Sequence, residues 1–135
     1  MKAVLFYGPE NIKYEDVRLR PLKKGEVLVK IMSALTCGTD VKTYRRGHPV
    51  LIKTIPSGFG HEFSGVIEKL GEGVTKFSVG DRVVAANSAP CGECFFCKRG
   101  EYNLCEHLDL LNGAYAEYII VPERIVEKNM LVLPD

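Results

Sequence analysis

Four cysteines within fifteen residues constrain the fold of this chain more than any other feature. They are Cys91, Cys94, Cys97 and Cys105. Four thiolates at this spacing can converge on one tetrahedral Zn²⁺ with Zn–S distances of about 2.3 Å, and Gly92 and Gly100 allow the backbone to turn tightly around the ion. Four thiolates leave no coordination position for a substrate, which predicts a structural ion. The alternatives are a pair of disulfides or four thiols without a metal.

The composition indicates a soluble globular protein that forms one compact domain. The chain has 135 residues, of which 46% are hydrophobic and 26% charged, whereas disordered chains contain fewer apolar residues. A formal net charge of +1 argues against a nucleic-acid binder or a membrane-surface protein. The apolar runs are too short to cross a bilayer, and the first residues lack a signal-peptide pattern. We therefore expect a cytoplasmic protein, whose reducing compartment favours zinc over disulfides.

Glycine and proline punctuate the whole chain, with short apolar runs between them, which is typical of a mainly β domain. The predicted strands are residues 2–6, 12–17, 26–33, 62–70, 82–86, 116–121 and 130–133. About seven strands in a chain of this length predict a sandwich or a partly open barrel. The only predicted helices are short, at about 39–46 and as a turn around 95–99.

A second group of metal-binding residue types lies upstream of the cysteine cluster. Cys37 precedes the first predicted helix, and His61 and Glu62 begin a predicted strand. A thiolate, an imidazole and a carboxylate form a plausible catalytic zinc set with a position left for water or substrate. Asp40 can accept the second imidazole N–H of His61, and Thr39 can pass a proton between a substrate hydroxyl and solvent. The same residues also fit a buried free cysteine, a core histidine and a turn-capping aspartate.

The sequence contains no complete dinucleotide-binding loop. The pair Gly58 and Gly60 is followed by Phe63 where G-x-G-x-x-G requires the third glycine, and the pair Gly71 and Gly73 by Lys76. If the protein uses a nicotinamide cofactor, the unit that binds it lies outside these residues.

Four motifs in register resemble the zinc-containing alcohol dehydrogenases of the medium-chain dehydrogenase/reductase superfamily. They are Cys37-Gly38-Thr39-Asp40, Gly60-His61-Glu62, Gly80-Asp81-Arg82-Val83 and the four-cysteine lobe at about 91–105. The resemblance spans the whole chain and implies a GroES-like catalytic domain over 1–135. It implies two zinc ions, one structural and one catalytic, and hydride transfer from a small alcohol or polyol to NAD(P) in the full-length enzyme. The pair Cys37 and His61, with Glu62 as a direct or water-linked ligand, is similar to the polyol and threonine dehydrogenase branch.

The resemblance also implies features that these residues do not contain. Family enzymes carry a Rossmann cofactor domain and a further zinc ligand beyond this region, and we expect a homo-oligomer in the full-length protein. Lys42 stands where this branch usually places a relay histidine. The competing hypotheses are a non-catalytic, zinc-stabilised GroES-like binding module and a redox-sensing thiol protein, and the second is weakened because the four-cysteine lobe offers no low-coordination thiolate.

Overall fold

Antiparallel strands dominate the architecture of the computed structural model, which describes residues 1–134. The strands are β1 Lys2–Gly8, β2 Asn11–Asp16, β3 Val27–Leu35, β4 Ser57–Gly58, β5 Glu62–Leu70, β6 Arg82–Ala85, β7 Ser88–Ala89, β8 Asp109–Leu110, β9 Tyr118–Val121 and β10 Met130–Val132. The helices are α1 Gly38–Arg46, α2 Phe95–Lys98 and α3 Glu123–Asn129, with a 3-10 turn over Tyr102–Leu104. The prediction of a mainly β domain with short helices is confirmed.

A five-stranded sheet in the order β10-β6-β5-β3-β9 carries the hydrophobic core. Val27 and Val29 of β3 are fully buried, whereas Leu28 between them is only partly buried and Lys30 after them is exposed, as the alternating pattern predicts. Ile67 of β5 and Val83 of β6 pack in the same core cluster. The core is therefore assembled from the alternate, inward-facing positions of paired strands.

A three-stranded sheet in the order β2-β1-β4 closes part of the remaining side. It joins the main sheet through an isolated bridge between Ala3 and Ala116 and through the hydrogen bond that Val4 N–H donates to the Tyr115 carbonyl at 2.7 Å. Joined in this way, the two sheets form a partly open barrel, which is one of the two architectures that the strand count predicts.

The third helix was not predicted, so the expectation that helices occur only near 39–46 and 95–99 is wrong. Pro122 precedes the first helical residue and Glu123 lies in the first turn, which are ordinary start signals of a helix. Ile125 and Val126, both buried against the main sheet, are β-branched residues of low helix propensity, and tertiary packing overrides that preference.

Among residues 1–134, no helix combines the length and the apolar character needed to traverse a bilayer.

Candidate functional site

The pairing of β3 with β5 brings the upstream metal-binding residues together. Leu35, the last residue of β3, lies opposite Glu62, the first residue of β5. The chain that leaves β3 toward Cys37 and the chain that arrives through His61 therefore run side by side. The Cys37 sulfur, an imidazole nitrogen of His61 and a carboxylate oxygen of Glu62 all lie within 4.8 Å of one another. The structure thus unites three residues that are up to 25 positions apart in sequence.

Cys37 is held by the start of α1, where it is the N-cap residue. Its sulfur accepts a hydrogen bond from Thr39 N–H at 3.4 Å, and its own N–H donates to Asp40 Oδ2 at 2.9 Å. This reciprocal arrangement is a capping box in which cysteine takes the place of serine or threonine. The cap therefore holds the Cys37 sulfur at the N-terminal end of the helix.

His61 is buried between the helix cap and the β5 strand, with 4% of its side chain exposed. Its Nδ1 lies 3.0 Å from Asp40 Oδ1 but makes no well-formed hydrogen bond to any of the described residues. Its Nε2 lies 3.9 Å from Glu62 Oε1. Asp40 therefore adjoins one imidazole nitrogen and leaves the other available for a metal.

The three ligand atoms fit a zinc ion with one adjustment. Two nitrogen or oxygen ligands on a tetrahedral ion, each about 2.0–2.2 Å from it, are about 3.4 Å apart. The 3.9 Å between His61 and Glu62 is slightly wider, and the Glu62 side chain, which is 43% exposed, is free to rotate inward. A cleft of about 370 Å³ opens over His61 and Glu62, and its remaining lining combines five apolar residues with three polar ones from β3, β5, β6 and the residues that follow β6. The arrangement leaves room for a small substrate beside the ligands.

Tyr115 is a member of this site that the sequence did not reveal. Its hydroxyl donates to Asp40 Oδ2 at 2.9 Å, across 75 positions of sequence. Burial raises the pKa of the Tyr115 phenol, and the Asp40 carboxylate raises it further, so the hydroxyl keeps its proton and remains a donor. A contact of such long range has no local sequence pattern, and only the junction of the two sheets creates it.

The downstream cysteines form a second, separate group of four sulfur atoms, all within 4.8 Å of one another. The sulfurs of Cys91 and Cys97 are 3.9 Å apart. Tetrahedral zinc at about 2.3 Å from each sulfur would place them about 3.8 Å apart, so the observed spacing fits the ion closely. Gly92 and Gly100 adopt φ of 87° and 78°, as expected for the tight turns around it.

Backbone donors prepare this lobe for thiolates. Cys91 N–H donates to the Cys105 sulfur at 3.2 Å, and Cys94 N–H donates to the Cys91 sulfur at 3.4 Å. The backbone N–H groups of Glu93 and Cys94 lower the pKa of Cys91 to about 6. Burial raises the pKa of Cys97 to about 12. A cation that displaces the thiol protons suits both cysteines, because its positive charge stabilises the thiolate form that burial otherwise disfavours.

Side chains of helix α3 form hydrogen bonds with both ends of the four-cysteine lobe. Lys128 donates to the carbonyl oxygens at the entrance of the lobe, and Arg124 donates to the His107 carbonyl at 2.9 Å and lies 3.2 Å from Asp109 Oδ2 at the exit. Asn129 adds a 2.6 Å hydrogen bond to the Ser88 carbonyl. His107 itself is exposed and is not part of the four-sulfur group.

A basic cleft of about 490 Å³ lies beside the face of α1 that carries Thr39, Lys42 and Arg46. Thr39, Lys42, Arg46 and His48 contribute its polar lining, and the described residues that line it include no acid. His48 Nδ1 accepts backbone N–H groups from residues 50 and 51 at 3.2 and 3.1 Å, which fixes the proton on Nε2. Lys42 thus lines the same cleft as Thr39, which lies two residues after Cys37.

Comparison with known proteins agrees with this fold. Residues 23–135 match the family described as "Alcohol dehydrogenase GroES-like domain". A sorbitol dehydrogenase of Halalkalibacterium halodurans is 44% identical over 102 residues, which cover 72% of this chain and 29% of that protein. The zinc-type alcohol dehydrogenase B of Aspergillus flavus is 35% identical and covers 100% of this chain and 35% of that protein.

A solved structure gives the same result. An alcohol dehydrogenase of Escherichia coli CFT073, complexed with NADH, superimposes with a TM-score of 0.84 at 34% identity, over 100% of this chain and 39% of that one. The chain therefore belongs to the alcohol dehydrogenase GroES-like domain family, and the predicted fold is confirmed. It spans between 29% and 39% of the lengths of these three proteins.

Proposed function

We propose that this chain is the catalytic-domain portion of a zinc-dependent, NAD(P)-linked dehydrogenase that oxidises an alcohol, polyol or amino alcohol to the carbonyl compound. The observation that carries the proposal is the convergence of Cys37, His61 and Glu62 within 4.8 Å beside an open cleft. Membership of a family whose members include alcohol and sorbitol dehydrogenases supports it. A separate four-cysteine lobe supplies the structural zinc site of the proposal, at Cys91, Cys94, Cys97 and Cys105.

The residues around the upstream site divide the chemical work. Zinc bound there would polarise the oxygen of the alcohol and favour its deprotonation. Cys37, His61 and Glu62 would hold the ion, and Asp40 would hold His61 through Nδ1 and so direct Nε2 toward it. Thr39, at the first turn of α1, would carry the hydroxyl proton of the substrate toward solvent.

The hydride must pass to a cofactor that these residues do not cradle. No complete glycine-rich loop occurs in the sequence. We therefore assign residues 1–135 to the GroES-like catalytic domain, with the zinc lobe at about 91–105, and assign NAD(P) to a Rossmann domain elsewhere in a longer enzyme. We expect that enzyme to be a cytoplasmic homo-oligomer that acts on small molecules and binds neither nucleic acid nor membranes.

The basic cleft supports a finer expectation about the substrate. Lys42, Arg46 and the Nε2–H of His48 supply donors without a neighbouring acid, and Thr39 connects them to the upstream site. Such a group favours an anionic substituent such as a phosphate monoester. The alternative is a solvated helix end, where basic residues interact well with the dipole. Comparing kcat/KM for a polyol and its phosphate ester, in wild type and in Lys42→Ala, distinguishes the two.

The experiment that tests the proposed function uses the complete enzyme with its cofactor domain. Alcohols and polyols are supplied with NAD⁺ or NADP⁺, and zinc per chain is measured alongside the rate. In Cys37→Ser we expect zinc to fall from two ions to one and kcat/KM to fall at least 100-fold, because hydroxyl is a weak zinc ligand. No activity with any alcohol in the wild type would favour the non-catalytic binding module instead, and full activity in Cys37→Ser would show that catalysis does not depend on this metal site.

A further inference from the structure

The Asp40 carboxylate serves more partners than a helix cap requires. Only 4% of Asp40 is exposed. Its Oδ2 accepts hydrogen bonds from Cys37 N–H and from the Tyr115 hydroxyl, each at 2.9 Å, and its Oδ1 lies 3.0 Å from His61 Nδ1. A buried carboxylate is costly unless several donors satisfy it. This one group therefore contacts the backbone of one proposed zinc ligand and the ring of another.

We propose that Tyr115 is a positioning residue for the catalytic metal site. Its hydroxyl, donated to Oδ2, holds the Asp40 carboxylate in the rotation that presents Oδ1 to His61. The orientation of the imidazole is then set by a residue from the junction of the two sheets. This inference rests on the proposed zinc site at Cys37 and His61, and it adds to that proposal the means by which His61 is aimed.

The Tyr115 ring is itself fixed by backbone on several sides. Gly60, with φ of 83°, lies against the ring, and a Cβ atom at Gly60 would overlap the ring carbons. Tyr115 N–H donates to the Phe59 carbonyl at 2.9 Å, and the Phe59 ring meets the Tyr115 ring edge-on at 5.7 Å. The Tyr115 carbonyl accepts from Val4 N–H at 2.7 Å. The hydroxyl therefore has little freedom, which is what a positioning contact needs.

The neighbours of the hydroxyl leave Asp40 as its best acceptor. The Tyr115 oxygen also lies 3.1 Å from Thr36 Oγ1 and 3.2 Å from the Leu35 carbonyl. A phenol has one proton, and an ionised carboxylate forms a hydrogen bond about twice as strong as a neutral oxygen does. Thr36 can donate its own proton to the phenol oxygen. Thr36 and Tyr115 thus donate in sequence toward Asp40 Oδ2, while Oδ1 of the same carboxylate lies 3.0 Å from Nδ1 of the proposed ligand His61.

Replacing Tyr115 by phenylalanine isolates the hydroxyl. Tyr115→Phe retains the ring against Gly60 and Phe59 and removes only the donor. The matched control is Tyr118→Phe, because the Tyr118 hydroxyl makes no hydrogen bond to the residues that the structure describes. Each chain is freed of metal, given one equivalent of Zn²⁺ to fill the four-cysteine lobe, and titrated with Co²⁺. Thiolate-to-cobalt absorption reports binding at the second site, and Cys37→Ser identifies that site.

We expect the Kd for Co²⁺ at the second site to rise about 10-fold or more in Tyr115→Phe, since removing an orienting partner typically weakens metal binding 10–100-fold. The Kd should stay within twofold in Tyr118→Phe, and the zinc in the lobe should be unchanged in both. The ¹H resonance of the His61 Nδ1 proton should shift in Tyr115→Phe alone. An unaltered Co²⁺ Kd in Tyr115→Phe, or a loss at both metal sites together with general unfolding, overturns the proposal.

Two further results separate the inference from its foundation. In an Asp40→Asn background, Tyr115→Phe should have no additional effect on Co²⁺ affinity, because the hydroxyl acts through that carboxylate. An additive effect would show that Tyr115 acts by another route and would overturn the inference alone. If Cys37→Ser binds the second cobalt ion as tightly as the wild-type chain does, the proposed catalytic site is wrong, and the inference fails with it.

Discussion

Lys128 Nζ donates hydrogen bonds to the carbonyl oxygen of Cys91 at 3.1 Å and to that of the preceding Pro90 at 2.9 Å. The ammonium group therefore sits over the first turn of the four-cysteine lobe, where Gly92 leaves space for it: a Cβ at Gly92 would lie 2.7 Å from Nζ. Through this contact the helix α3 and the lobe share an interface that does not depend on a metal–ligand bond.

Removing the ammonium should loosen the lobe without disturbing the barrel. In Lys128→Met we expect the free energy of unfolding to fall by about 1 kcal/mol, because the two hydrogen bonds are charge-assisted but solvent-exposed. Zinc should leave the lobe faster in the presence of a chelator. The measurements are chemical denaturation and the rate of zinc release, with the exposed Lys98→Met as control. Equal release rates in both variants would contradict this role.

Chelating the structural zinc should open residues 91–105 before the β core melts. The lobe contributes only Cys94 and Cys97 to the buried residues in that interval, so little apolar burial replaces the metal bonds when they are lost. Limited proteolysis, followed by mass spectrometry, should map the first cleavages after chelation to this segment. If the cleavage pattern is the same with and without zinc, the metal does not stabilise the lobe.

The two zinc sites should differ sharply in affinity in this chain. The lobe supplies four sulfurs within fifteen residues, whereas the upstream site supplies Cys37, His61 and the partly exposed Glu62. Because the upstream site has fewer protein ligands and a carboxylate that can rotate away, water competes for coordination positions on the zinc ion. We expect one zinc ion to survive dialysis and the second to be lost to a mild chelator. Metal analysis that finds two equally resistant ions per chain would refute this.

The ion pair at the start of β3 should make stability depend on pH. Glu26, which is 7% exposed, accepts from Arg20 at 2.6 and 2.8 Å and from Lys23 N–H at 2.8 Å. The Arg20 guanidinium, more than the Lys23 N–H, holds the pKa of Glu26 below its usual value. A lowered folded-state pKa contributes stability that is present above the unfolded-state pKa of about 4.3 and is lost as the pH falls through the folded value.

Glu26→Gln should therefore be less stable than wild type by about 1 kcal/mol at pH 7, since Arg20 is half exposed, and the difference should shrink below about pH 4.3. Denaturation of both proteins across pH 3–7 measures this. The exposed Glu68→Gln should show no such trend. A gap between Glu26→Gln and wild type that stays constant down to pH 3 would show that packing, rather than charge, is responsible.

Local patterns predicted the seven longer strands and the two candidate metal sites, but they missed the two-residue strands β4, β7 and β8, the helix α3 and Tyr115. Alternation in Val27 and Val29 revealed β3, and the spacing of the lobe cysteines revealed a cluster that the structure does assemble. The helix α3 was missed because its two buried residues are β-branched. Tyr115 was missed because its partner Asp40 lies 75 positions away and meets it only after the two sheets join.

The register of Leu35 opposite Glu62 has a consequence for how this site can diversify. The strand pair fixes where the chain departs and where it returns, so residues 36–61 form an excursion whose two ends are anchored by the sheet. The proposed ligands occupy those ends, at Cys37 and His61, while the basic cleft lies within the excursion. Insertions or replacements in its middle can reshape substrate selection and leave the distance between the ligands unchanged. Under the proposed function, metal binding and substrate selection would thereby depend on different stretches of one segment between two paired strands.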